Sequence, residues 1–140
     1  MDPFESDALR VVGVAQGVSL DLMRDFLLAS GARALLLPAT HGEPYADPLN
    51  RPRIEHLFEG EAQVLFEAET AVMKKIATLP ESANAAATAA WIRRALAGET
   101  PVPLPVVNQL ATCLFAAGYT SDMNQAKAIV AVETGSLAAA

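Results

Sequence analysis

The longest periodic run of apolar positions in the chain is Ile54, Leu57, Phe58, Leu65, Ala68, Val72, Ile76 and Leu79. Steps of three, four and seven place these side chains on one stripe of a helix. The acids Glu55, Glu59, Glu61, Glu67 and Glu69 come early in the run, and Lys74 and Lys75 come late. That order complements a helix dipole, positive at its start and negative at its end. The pattern predicts one long helix from Arg53 to Leu79. Gly60 falls inside it, at a cost of about 1 kcal/mol relative to Ala.

Shorter elements flank this run. Asp2-Pro3-Phe4-Glu5 reads as a capped helix start, with Pro3 in the first helical position. Ser19 is a cap for a helix from Leu20 to Ser30, which turns Leu20, Met23, Leu27 and Leu28 inward and ends at Gly31. Two segments, 11–14 and 32–37, stay open between strand and helix, because periodicity does not decide over so few residues. Pro38, Pro44, Pro48 and Pro52 forbid a regular helix between them. Thr78-Leu79-Pro80-Glu81 is a capping-box pattern before an Ala-rich helix that ends at Gly98. Val106 to Ala117 is an apolar helix closed by Gly118. Thr120 or Ser121 caps a last helix through about Glu133.

These elements predict a mainly α fold. It is a compact bundle of about five to six helices, with one long central helix and a Pro-rich loop. A short β contribution near 11–14 or 32–37 is left open. The expectation is a single domain, 1–140, with the proline link 99–105 as a hinge before the helix pair 106–134.

Composition adjusts the picture only slightly. Hydrophobic residues are 52% of the 140 and charged residues 19%, which suits a folded domain and not a disordered chain. Alanine fills 28 positions, which favours closely packed helices and a thin core that a partner chain would complete. The net charge of −6 disfavours generic nucleic-acid binding. The single cysteine, Cys113, excludes an internal disulfide and zinc-finger spacing. The acidic start is unlike a secretory leader. No apolar run approaches the roughly 18 residues of a membrane span. A cytoplasmic protein, or one in an assembly formed in the cytoplasm, is expected, with no membrane partner.

The densest polar cluster is Thr40-His41-Gly42-Glu43-Pro44-Tyr45-Ala46-Asp47. His41, Glu43 and Asp47, with His56 approaching from the next element, are a candidate metal set of mixed imidazole and carboxylate. The spacing matches no recognised ligand motif, and a solvated, proline-stiffened loop is the plainer reading. The same segment is long for a connector. Its prolines lower the entropy lost on docking. Tyr45, Arg51, Arg53 and, further on, Trp91 are residue types favoured at interface hot spots, and they form the candidate partner-binding set. His56 lies beside Glu55 and three residues from Glu59, a spacing that also describes an exposed ion pair on a helix. Cys113 has no histidine near it in sequence to activate it. Leu114-Phe115-Ala116-Ala117-Gly118-Tyr119 resembles the small-Gly-aromatic turn of a ubiquitin-associated domain; the likeness covers a handful of residues and carries no functional expectation.

No catalytic constellation, phosphate loop or cofactor motif emerges, so no cofactor is expected. The first functional reading is a non-enzymatic assembly or adaptor protein that acts through a protein partner or as a homo-oligomer. The alternatives are a small-molecule or metal-binding protein with its site at 40–56, and a non-catalytic enzyme subunit.

Overall fold

A computed structural model describes residues 8–15, 17–39, 43–44, 50–70 and 84–134. In chain order they form β1 (Arg10–Val14), α1 (Leu20–Ala29), β2 (Ala34–Pro38), β3 (Asn50–Arg51), β4 (Ile54–Phe58), β5 (Glu61–Phe66), β6 (Glu69–Thr70), α2 (Ala85–Leu96), α3 (Leu104–Ala116) and α4 (Met123–Glu133). The fold is mixed α/β, which overturns the mainly α, all-helical expectation. A four-stranded sheet runs in the order β1-β2-β4-β5, and β3 pairs with β6 in a small second sheet. The segments left open at 11–14 and 32–37 fall in β1 and β2, which are parallel and joined through α1. The predicted helix start at Asp2 lies outside the described residues, and Arg10–Val14 is strand.

The largest correction concerns Arg53 to Leu79. Its first half is a β-hairpin: β4 and β5 pair antiparallel, with Phe58 opposite Glu61. Glu59 and Gly60 make the turn at φ 52° and 78°. Two successive positive φ values give a type I′ turn, whose twist matches that of the strands it joins. Positions 54, 57 and 58 satisfy helical spacing only by accident. β4 is an inner strand covered on both faces, so its apolar residues need not alternate. Leu65 is the extra residue of a bulge between the pairs Ile54–Phe66 and Glu55–Val64, which further breaks the period of two. Residues 71–79, the second half of the expected helix, lie outside the described set.

Side-chain alternation divides the sheet into two faces. Val14, Ala34, Leu36 and Leu57 pack against Leu27 of α1, with Met23 and Leu28 beside it. Leu35, Leu37 and Ile54 face the other way, onto Cys113 and Ala116 of α3. A third cluster, Val107, Ala111, Ala126 and Val130, joins α3 to α4 as a helical pair. The alanines at this contact let the two helices approach closely. Ser19 caps α1 as expected, accepting from the Leu22 amide. The last helix is capped by Asp122, and not by Thr120 or Ser121. Among the described residues, no helix is long and apolar enough to cross a membrane.

Candidate functional site

Of the loop proposed as a metal or docking site, His41, Tyr45 and Asp47 lie outside the described residues. Glu43 is exposed, and Pro44 lies directly over Gly13 of β1: a Cβ on Gly13 would meet the Pro44 Cβ at 2.9 Å. Pro44 can therefore sit this close to β1 only because position 13 has no side chain. His56 is on β4, with β2 between it and that contact. Among the described residues, no group of three or more His, Cys, Asp and Glu side chains is placed to hold a metal ion.

Arg51 and Arg53 are engaged within the chain. The Arg51 guanidinium lies 5.0 Å from the centre of the Phe66 ring and donates to Glu69 at 2.7 Å. Arg53 reaches Glu55 at 2.9 Å and Glu67 at 3.9 Å. Trp91 is half-buried on α2. Cys113 is half-buried between α3 and the sheet, and burial raises its pKa, so the thiol stays protonated and is a poor nucleophile. The pKa of His56 is lowered, first by burial and second by the charge of Arg33, so its ring is neutral at pH 7.

A feature outside those candidate sets is the outer face of α1. Its inner face is committed to the sheet through Leu27. On the opposite side Val18, Leu22 and Phe26 are 53%, 68% and 58% exposed. Leu22 and Phe26, four residues apart, share one stripe of the helix, and Val18 lies just before its cap, Ser19. Asp25 and Asp21, the latter paired with Arg24 at 2.5 Å, lie beside it. The signal was present in the sequence as a second set of apolar positions on the wheel of α1, offset from the inward set. A second apolar concavity, of about 430 Å³, lies between α3 and α4 and is bordered by Leu110, Tyr119 and Ile129.

No family model matches the chain. Over 129 residues it is 34% identical to the uncharacterized protein YbiB of Escherichia coli (strain K12). The match takes in 91% of this chain but 40% of YbiB, so the chain spans less than half the length of that relative.

Proposed function

We propose that this chain is a non-catalytic interaction module that acts through a protein–protein contact on the outer ridge of α1. The observation that carries this reading is the ridge itself: Leu22 and Phe26 one helical turn apart, with Val18 just before the cap, each more than half exposed, on a helix whose other face is already buried. Burying a side chain of this size is worth about 1.5–3 kcal/mol before the costs of association are subtracted. The occupant is an amphipathic helix of another protein, with an apolar stripe for the ridge and Lys or Arg for the acids beside it. A second copy of this chain would bring its own Asp21 and Asp25 and a net charge of −6 to the contact, so self-pairing through this ridge is disfavoured. A cytoplasmic setting agrees with the free thiol of Cys113.

The test is a photo-crosslinking residue at Leu22, with the same residue at the exposed Leu96 of α2 as control. The expected product is a discrete adduct at Leu22 whose peptide carries a Lys- or Arg-flanked apolar stripe. Phe26→Ser should remove the adduct and change the melting temperature little, since Phe26 is more than half exposed and belongs to none of the buried clusters. Equal adducts at both positions, or an adduct that survives Phe26→Ser, would overturn the assignment.

A further inference from the structure

Strand register builds a second site at the opposite face of the sheet, beyond the last turn of α3. Leu35, His56 and Gln63 are cross-strand neighbours, and the next row outward contains Phe58 and Glu61. Arg33 enters this outer row from the residue just before β2. The C-terminal end of α3 and the turn into α4 roof these residues with Phe115, Ala116 and Thr120. The space between them is a partly open cleft of about 360 Å³, in the range that small-molecule sites occupy.

Two buried nitrogens in its lining have no hydrogen-bond partner among the described residues: Arg33 Nε and His56 Nε2. The rest of each side chain is fixed. The Arg33 Nη2 donates to the Ala116 carbonyl, and its guanidinium lies 5.1 Å from the centre of the Phe58 ring. The His56 ring stacks parallel to Phe58 at 6.0 Å and meets Phe115 edge-on at 6.3 Å. Part of the wall is therefore aromatic, beside polar groups from Gln63, Thr120 and Ser121, and the unpaired polar atoms are held in place before any ligand arrives.

Charge selects among ligands. Arg33 offsets the negative end of the α3 dipole, and Glu61 adds a carboxylate to the lining. No net positive potential remains to attract an anion, and a cation would face the guanidinium. A neutral ligand that carries both an acceptor and a donor satisfies both orphan nitrogens. We propose that this cleft binds a neutral planar amide, an aromatic carboxamide or lactam, whose carbonyl accepts from Arg33 Nε and whose N–H donates to His56 Nε2. Neutral His56 has one bare ring nitrogen, and with the proton on Nδ1 that nitrogen is Nε2, as this contact needs. The site is independent of the α1 ridge, since it lies on the other side of the sheet.

Benzamide, benzoate and benzylamine share a ring and differ in charge, and they decide the matter. Each is titrated into the protein at pH 7.5 while the imidazole nitrogens of His56 are followed by NMR. Benzamide should move the His56 Nε2 resonance saturably, with a Kd below about 1 mM and at least ~10-fold tighter than the other two. His56→Phe keeps the ring and removes the acceptor, so it should weaken benzamide by ~10-fold or more. His56→Gln restores an acceptor and should recover binding. Benzoate binding as tightly as benzamide, an unchanged affinity in His56→Phe, or no saturable shift with benzamide would each overturn the proposal.

Discussion

Glu55 stands on an inner strand at 2% exposure, and two guanidinium groups pair with it there. Arg24 reaches down from α1 with Nε at 2.5 Å and Nη2 at 2.9 Å from the two carboxylate oxygens, a bidentate fork. Arg53, the residue just before β4, adds a third contact at 2.9 Å. Arg24 is held above its ordinary pKa, first by Glu55 and then by Asp21, so it stays charged at any pH the fold survives. Glu55 shares its face with Leu57, so the pair ties α1 to the sheet through the middle of an apolar layer. Removing Glu55 leaves Arg24 only the exposed Asp21 and Arg53 only Glu67 at 3.9 Å. Glu55→Ala should cost about 3–5 kcal/mol in urea unfolding. Arg24→Met combined with Glu55→Leu should return most of that loss, because the charge and its partner leave together. A loss under ~1 kcal/mol in the single variant would mean that the carboxylate is no part of the core. The same residue hides the strand in the sequence. A Glu at an inward position reads as solvent-facing unless its Arg partner, 31 residues away, is known.

Among elements, the helix ends were legible and the hairpin was not. Gly31, Gly98 and Gly118 each mark the end of a helix, and in each case the glycine's own amide and the next one bond back into the last turn. Ala32 donates to Leu27, Glu99 to Arg94 and Tyr119 to Leu114. These are local bonds, so local sequence specifies them. The β4–β5 hairpin depends on Glu59-Gly60, where the glycine was visible but the glutamate gave no turn signal. An L residue at φ 52° is strained by about 1 kcal/mol, and Asn tolerates this region far better. Glu59→Asn should therefore raise the melting temperature by about 3–4 °C in a thermal scan. A fall would mean that the Glu59 side chain makes a contact worth more than the strain. The α1 ridge was readable in the same manner as the helix ends, from one helical wheel. The Arg33–His56 cleft was not, because it draws on β2, β4, β5 and the turn after α3, whose proximity only the strand register creates.

For the whole molecule, the buried imidazole sets a pH dependence. The folded pKa of His56 lies below the ordinary 6.5, so the unfolded chain binds its proton first as pH falls. The stability present above about pH 6.5 is then lost progressively toward the folded value. The melting temperature should drop between pH 7 and pH 5.5, and His56→Gln should flatten that drop; an equal slope in the variant would assign it to the carboxylates. The topology also bears on the birth of the chain. β4 and β5 are closed by two residues and meet in roughly 1–10 μs. β1 and β2 must wait for all of α1 to form between them. On a ribosome, which adds about 5–20 residues per second, the β1-α1-β2 unit is complete long before β4 emerges. A full-length chain released from denaturant closes its hairpin first. Synthesis and refolding thus enter the same sheet from opposite edges, and the inner strands β2 and β4 are where the two routes converge.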